Sequence, residues 1–167
     1  GYGPTRSVRV TLDAAYDGWY TTALSHIKRK VTVRVWYPGD ADHLPAWGGT
    51  VTIKPTAILS RPKLRRTPGR PVPITLPDRC TVTGTLRPRH AAGSRAVTLV
   101  IYRMRPYHDW ERYKTLRVKV SDAGSGSAYR VYVNLPRYYR QKWRVQAVHQ
   151  DAAHAHSESA ISNTIGT

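Results

Sequence analysis

A four-residue word that occurs twice constrains the fold of this chain more than any other feature. Asp-Ala-x-His occupies residues 40–43 and again residues 151–154. Each copy follows a β-like run that contains an Arg-Val pair, at Arg34-Val35 and at Arg144-Val145. The two copies are about 110 residues apart, and similarity at a fixed spacing indicates repetition of one structural unit. The chain is therefore predicted to contain two related units.

The repeat length predicts how much of each unit is present. A length of about 110 residues is that of one β-sandwich domain, so the 167 residues hold one complete unit and part of a second. Val8-Arg9-Val10 resembles Leu116-Arg117-Val118, but nothing before Val8 corresponds to the segment that precedes Leu116. We therefore expect the first unit to lack its opening strands. The predicted boundaries are 1–55 for the C-terminal half of a unit, 56–77 for a Pro/Arg-rich connection and edge strand, and 78–167 for the main body of the complete unit.

Short alternating segments between glycine and proline turns predict an all-β chain. In the first unit the predicted strands are Arg6–Leu12, Trp19–Leu24, Val31–Tyr37 and Thr50–Lys54. In the second they are Cys80–Leu86, Ala96–Met104, Trp110–Val120, Tyr129–Leu135, Lys142–Val148 and Ile161–Ile165. Cys80, the single cysteine, is expected to be a small buried hydrophobic residue. The predicted fold class is all-β, with immunoglobulin-like β-sandwich repeats of which one is complete and one lacks its N-terminal strands.

Longer motifs in the second unit resemble a known repeat family. They are Gly84-Thr-Leu-Arg-Pro-Arg-His-Ala-Ala-Gly-Ser94, Lys142-Trp-Arg-Val-Gln-Ala147 and Asp151-Ala-Ala-His-Ala-His-Ser157. These motifs are similar to the immunoglobulin-like repeats found in tandem in secreted and surface proteins of actinobacterial type, and residues 8–55 resemble the back half of a preceding repeat. The chain departs from the family at Gln146, where arginine is usual. The resemblance implies a stalk, spacer or binding module at an extracellular or cell-surface location.

Charge predicts the chemical class of the partner. Lys and Arg number 27 against 10 Asp and Glu, which gives a net charge of +17. Such an excess favours polyanions: anionic wall polymer, acidic polysaccharide or, less favoured, nucleic acid. The candidate binding residues are the basic and aromatic residues expected on outward strand positions: Arg103, Arg117, Lys119, Arg130, Tyr132, Lys142 and Arg144. The alternative is that these are ordinary solvated positions of β-strands.

The segment Pro55–Pro77 combines six prolines with basic residues that include Lys63, Arg65, Arg66 and Arg70. Proline density argues against a central strand. The segment is expected to connect the two units and lead into an edge strand. Its charge fits either a solvated linker or a polyanion-binding arm.

Histidines and carboxylates accumulate around both copies of Asp-Ala-x-His. The candidate metal ligands are Asp40, Asp42, His43, His149, Asp151, His154 and His156. A zinc site needs three or four converging ligands, and the residues of a single loop rarely converge. The pattern therefore favours a turn in which the Asp accepts hydrogen bonds and the His packs on the sheet edge. No metal and no other cofactor is expected.

The sequence offers no residue pattern for catalysis. It has no nucleophile motif, no glycine-rich phosphate loop and no His-Glu-x-x-His zinc motif, and its only glutamates are Glu111 and Glu158. We therefore expect a protein without enzymatic activity and without catalytic residues.

Three functional hypotheses follow. The preferred one is an extracellular structural or adhesive protein built from immunoglobulin-like repeats. The second is a filament subunit, in which the incomplete N-terminal unit contacts a neighbouring copy as a homo-oligomer or fibre. The third is a binding module for anionic glycan or nucleic acid. No run approaches about 18 apolar residues, so no membrane span is expected, and Gly1 to Pro4 shows no signal peptide, which fits a cytosolic chain or a mature fragment.

Overall fold

The structure is a computed structural model that describes residues 23–24, 27, 29–67, 77–137 and 140–166. These residues form strands and loops and contain no helix, and thus none long and apolar enough to cross a membrane. The strands are β1 (Val31–Tyr37), β2 (Ala46–Ile53), β3 (Ile58–Leu59), β4 (Lys63–Arg66), β5 (Asp78–Arg87), β6 (Val97–Met104), β7 (Trp110–Val118), β8 (Val120–Ala123), β9 (Gly126–Leu135), β10 (Lys142–His149), β11 (Ser157–Glu158) and β12 (Ile165–Gly166). The predicted all-β fold is confirmed.

Strands β3 to β12 form two antiparallel sheets around one core. One sheet has the order β4–β5–β9–β8, with β3 also paired to β5, and the other has the order β7–β6–β10, with β11 and β12 both paired to β10. Both sheets contribute to a single buried cluster of Ala57, Leu64, Cys80, Val82, Leu86, Val97, Leu99, Ile101, Val118, Val120, Tyr129, Val133, Leu135, Trp143, Val145 and Ala147. Strands β3 to β12 therefore form a β-sandwich.

The buried positions of this sandwich alternate along its strands, as the alternating segments of the sequence predict. In β10, Trp143, Val145 and Ala147 are fully buried, while Lys142 and Gln146 lie on the opposite face. Cys80 is fully buried in β5, as expected for a small hydrophobic residue. This agreement follows from the two-residue period of a strand, which sends every second side chain to the core.

The last predicted strand differs from the structure. Instead of one strand over Ile161–Ile165, β10 is bordered by two short strands separated by residues 159–164. In that gap the hydroxyls of Ser159 and Ser162 accept hydrogen bonds from the backbone N–H of Ala147 (2.9 Å) and Val145 (2.8 Å). Serine side chains thus replace part of a backbone ladder, which satisfies the buried N–H groups of β10.

Two other strands begin or end elsewhere than predicted. Trp110–Val120 is divided into β7 and β8, because the chain passes from one sheet to the other at Lys119. The edge strand predicted in segment 56–77 is present as the two short strands β3 and β4. The sandwich therefore begins before residue 78. Residues 68–76, including Arg70, lie outside the described residues.

Within the predicted first unit, the strands that the structure describes are β1 and β2, which form a hairpin. The two strands pair from Val31↔Ile53 to Tyr37↔Ala46, with an irregularity between Arg34 and Trp36. Strand β2 begins at Ala46, before the predicted start at Thr50, and there Trp36 pairs with Trp47, with their tilted rings in contact at a centroid distance of 4.6 Å. The predicted strands Arg6–Leu12 and residues 19–22 lie outside the described residues, and residues 23–24 are not in a strand.

Candidate functional site

The two Asp-Ala-x-His corners make the same hydrogen bonds. Oδ1 of Asp40 accepts from the backbone N–H of Asp42 and of His43, each at 2.9 Å. Oδ1 of Asp151 accepts from the backbone N–H of Ala153 (2.8 Å) and of His154 (2.7 Å). In both corners Nδ1 of the histidine lies within 3.0 Å of the same carboxylate oxygen. The predicted turn, in which the aspartate caps the corner, is confirmed in each copy.

The second corner also gathers two further histidines. His149 ends β10, and His90 comes from the loop between β5 and β6. Around the Asp151 carboxylate, Nε2 of His90 lies 3.2 Å from Oδ2, Nε2 of His149 lies 3.4 Å from Oδ2, and Nδ1 of His154 lies 3.1 Å from Oδ2. The candidate ligand atoms of these four residues all lie within 4.8 Å of one another. We call this group the histidine cluster.

Local structure holds the imidazoles of His90 and His149 in place. The hydroxyl of the buried Ser127 accepts from the backbone N–H of His90 (2.9 Å) and donates to its carbonyl (3.3 Å), which anchors the β5–β6 loop to β9. Nδ1 of His90 lies 2.8 Å from the carbonyl of Pro88, and Nδ1 of His149 lies 2.6 Å from that of Ala96. A carbonyl oxygen only accepts, so Nδ1 carries the proton in both rings and Nε2 is directed at Asp151.

Burial and hydrogen bonding set the protonation states in the cluster. Burial lowers the pKa of His149, although the carbonyl of Ala96 and the Asp151 charge oppose the shift, so that this ring is neutral near pH 7. Burial alone would raise the pKa of Asp151, but hydrogen bonds from Ala153 and His154 lower it to about 2. The carboxylate is therefore ionised and the His149 Nε2 atom that faces it bears a lone pair.

His90 is the residue that sequence reasoning missed. The expectation of no metal site depended on the premise that ligands in one loop rarely converge, and the structure adds ligands from a second loop and from the end of a strand. Topology could have revealed it: β6 and β10 are antiparallel neighbours, so the loop before β6 and the loop after β10 lie at the same end of the sheet. The site could hold a transition metal through three imidazoles and one carboxylate.

The first corner lacks this environment in the described residues. The side chain of His43 is 71% exposed, whereas that of His154 is 5% exposed. At the first corner the hydroxyl of Tyr37 donates a hydrogen bond to Asp40. That bond raises the pKa of Tyr37 and, together with the bond from His43, holds the pKa of Asp40 far below its usual value. The first corner has the same turn with one imidazole, so it serves as an internal control for metal binding.

A second feature is a basic groove on the outer face of the β4–β5–β9 sheet. Across these strands Lys63 is in register with Thr83 and Arg130, and Arg65 is in register with Thr81 and Tyr132. The groove is lined by Lys63, Arg65, Arg66, Thr81, Thr83 and Arg130. Three of these cations, Lys63, Arg65 and Arg130, form no side-chain ion pair or hydrogen bond with any residue that the structure describes. We call this surface the basic face.

Tyr132 completes the basic face. Its side chain is half exposed, and the guanidinium of Arg79 lies 4.3 Å from its ring centroid. Arg66 is engaged differently, because it forms an ion pair with Asp78 (3.3 Å) and donates to the carbonyl of Gly166. The basic face therefore combines uncompensated cations with one aromatic platform, as anionic sugars and bases require.

The seven predicted binding residues do not form one surface. Only Arg130 and Tyr132 lie on the basic face, and the others belong to the opposite sheet or its edge. Among these, Arg103 forms an ion pair with Glu111 (2.6 Å), and Arg144 stacks 4.1 Å from the ring centroid of Trp110. The remaining three are exposed: Arg117, Lys119 and Lys142. Sequence reasoning instead assigned Lys63 and Arg65 to the connecting segment, with a polyanion-binding arm as one alternative.

No protein-family model matches the sequence, and no curated protein does.

Proposed function

We propose that this chain is a non-enzymatic structural and adhesive module of an extracellular or cell-surface protein, and that it adheres to anionic polysaccharide or wall polymer through the basic face. The single observation that carries the proposal is a group of three cations without an ion-pair partner among the described residues, Lys63 and Arg65 on β4 and Arg130 on β9, beside Tyr132. Uncompensated cations at fixed spacing attract a polyanion and release its counterions on binding.

The strand order supports an immunoglobulin-like type of module. The sheets β4–β5–β9–β8 and β7–β6–β10–β11 have the order A-B-E-D and C′-C-F-G of immunoglobulin-like sandwiches. The matching hydrogen bonds of Asp40 and Asp151 support repetition of that module. Modules of this kind act through surfaces and loops placed on a rigid scaffold.

The rigidity of the scaffold makes the basic face effective. Leu64, in the middle of β4, is fully buried between the cations on either side of it, so the strand holds Lys63 and Arg65 on one face. Neighbouring strands are about 4.8 Å apart, which places Lys63 and Arg130 about 10 Å from each other across β5. Several charges of one polymer can therefore be contacted at once without a large cost in side-chain ordering.

The test compares two triple variants with the same charge. Lys63→Gln/Arg65→Gln/Arg130→Gln removes three cations from the basic face, and Arg117→Gln/Lys119→Gln/Lys142→Gln removes three from the opposite side. Binding to a sulfated oligosaccharide of defined length is measured by calorimetry at several salt concentrations. We expect the first variant to lose affinity and salt dependence and the second to retain most of both. Equal losses in the two variants would show that only net charge matters.

The same calorimetry decides the class of polymer. The favoured partner is a polysaccharide or wall polymer, and a duplex oligonucleotide of similar charge serves as the comparison. Preference for the oligonucleotide, with loss in the first triple variant alone, would assign the basic face to nucleic acid instead.

A second candidate function is a subunit of an extracellular filament. The observation that favours it is the exposure of apolar side chains on the β1–β2 hairpin, where Trp36 is 46%, Trp47 is 55% and Val51 is 61% exposed. Two strands alone bury little apolar surface, and a neighbouring copy could cover them. Sedimentation velocity over a wide concentration range tests this candidate. Association that Trp47→Ser weakens would support it, whereas monomers at every concentration would exclude it.

A further inference from the structure

We propose that the histidine cluster is a structural zinc site, in which His90, His149, His154 and Asp151 fasten the β5–β6 loop to the corner after β10. This inference does not depend on the basic face, which lies on a sheet surface and shares no residue with the cluster.

The first observation is an unsatisfied atom. His149 is 1% exposed, and its Nε2 atom is buried without a hydrogen-bond partner. Oδ2 of Asp151 lies 3.4 Å from this atom, yet a neutral ring that donates through Nδ1 has only a lone pair at Nε2. Two lone pairs that face each other repel. A cation between them would remove the repulsion, because both Nε2 of His149 and Oδ2 of Asp151 would coordinate it.

The second observation is the spacing of the ligand atoms. With bonds of about 2.0–2.2 Å, two ligands of a tetrahedral zinc ion are about 3.3–3.5 Å apart. The Nε2 atoms of His90 and His149 lie 3.2 Å and 3.4 Å from Oδ2 of Asp151. The widest pair of ligand atoms is no more than 4.8 Å apart, so small side-chain rotations close the tetrahedron.

The third observation is the outer hydrogen bonding. Histidines that bind metals usually donate the other ring N–H to a carbonyl or carboxylate, which fixes the tautomer and the ring orientation. His90 and His149 do so already, through the carbonyls of Pro88 and Ala96. Ala153 and the backbone of His154 orient Asp151 in the same way. Hydrogen bonds to backbone groups therefore already orient His90, His149 and Asp151, and a bound metal would leave these bonds in place.

The donor set decides the metal and its role. Three imidazoles and one carboxylate in a tetrahedral arrangement suit Zn²⁺ better than Ca²⁺ or Mg²⁺, which prefer oxygen ligands. Four protein ligands leave no open coordination position, as in structural rather than catalytic zinc sites. Solvent reaches the cluster from the side of Asp151, whose side chain is 34% exposed, which provides a path for the ion.

Cobalt substitution of the untagged full chain tests the proposal. After removal of metals with a chelator, Co²⁺ is titrated and its visible d–d absorption is recorded. We expect one Co²⁺ per chain, with the strong absorption of tetrahedral coordination and displacement by Zn²⁺. His90→Gln and His154→Gln should each weaken binding by more than about 100-fold, beyond the loss caused by an outer-shell change. The control His43→Gln, in the first corner, should bind as the wild type does.

Two results would overturn the proposal: absence of Co²⁺ binding by the folded wild-type chain, or binding that His154→Gln leaves unchanged. If a variant fails to fold, a spectroscopic measurement on the wild-type chain still tests the proposal. In nitrogen-edited spectra of the histidine rings, Zn²⁺ should shift Nε2 of His90 and His149 while the Nδ1–H signals persist. Unchanged Nε2 signals at saturating Zn²⁺ would equally contradict a site in the cluster.

Discussion

Nε2 of His149 lies 3.4 Å from Oδ2 of Asp151, and no hydrogen bond joins them. In the first corner the hydroxyl of Tyr37 instead donates a hydrogen bond to the carboxylate of Asp40. Two corners with the same backbone turn thus differ in what their carboxylates face. The Asp40 carboxylate accepts a hydrogen bond from a hydroxyl, whereas the Asp151 carboxylate faces an unpartnered nitrogen, and the proposed cation would lie between those two groups.

Zinc should stabilise the sandwich. A ligand that binds only the folded state adds about 2.7 kcal/mol to the free energy of unfolding when its concentration is 100 times Kd. Thermal unfolding of the chain, followed by circular dichroism, should therefore shift upward with Zn²⁺ and return with a chelator. His90→Gln should abolish the shift, and His43→Gln should keep it. A Zn²⁺ effect of equal size in both variants would point to binding elsewhere.

Loss of the carboxylate should affect the two corners unequally. In chelator, Asp151→Ala removes the acceptor for two backbone N–H groups in a half-buried corner, which should cost about 1–3 kcal/mol of unfolding free energy. Asp40→Ala removes the same bonds at an exposed corner, where water replaces them, and should cost less. Urea unfolding gives both values. Asp151→Asn keeps an acceptor at Oδ1 and should recover most of the loss, and failure to do so would show that charge rather than the turn matters.

Gly84 should not tolerate a side chain. A Cβ atom at this position would overlap the hydroxyl and ring of Tyr129, which is buried against it. Gly84→Ala should therefore lower the unfolding free energy by about 1–3 kcal/mol, as overpacking does. Gly49→Ala in the hairpin, where a Cβ has no neighbour within 4 Å, is the control. Similar stabilities of the two variants would contradict the position of the Tyr129 ring.

The thiol of Cys80 should report on unfolding. Burial, followed by the nearby Asp78 charge, raises the pKa of Cys80 to about 11. The folded state therefore keeps a proton that the unfolded state loses above its ordinary pKa of about 8.5. The contribution to stability is present below that pH and is lost as the pH rises towards 11. A thiol reagent at pH 8 should react at the rate of opening, and immediate reaction in the folded chain would contradict burial of Cys80.

Period and topology explain which features the sequence could predict. Alternation in Trp143, Val145 and Ala147 identifies a strand face because the signal repeats every two residues. The edge formed by Ser159 and Ser162 has no such period, since serine hydroxyls replace backbone partners there. Strand β4 has one buried apolar residue, Leu64, among charged neighbours and nearby prolines, so the segment resembles a linker.

The candidate sites were harder to predict than the fold, because each combines residues from distant segments. His90 precedes Asp151 by 61 residues, and only the placement of two loops at one end of a sandwich brings them together. Lys63 and Arg130 meet only through the register of β4, β5 and β9. A list of outward basic residues therefore contained Arg130 and Tyr132 but also residues that pair with Glu111 or stack on Trp110.

Mapping of the polyanion on the protein surface tests the central claim most directly. Backbone amide spectra are recorded while a sulfated oligosaccharide is added to the labelled chain at physiological ionic strength. We expect the largest shifts at Lys63, Arg65 and Thr81 to Thr83 and at Arg130 to Tyr132, all of which lie on β4, β5 and β9. Shifts centred on β6, β7 and β10, or spread evenly over all cationic positions, would contradict adhesion through the basic face.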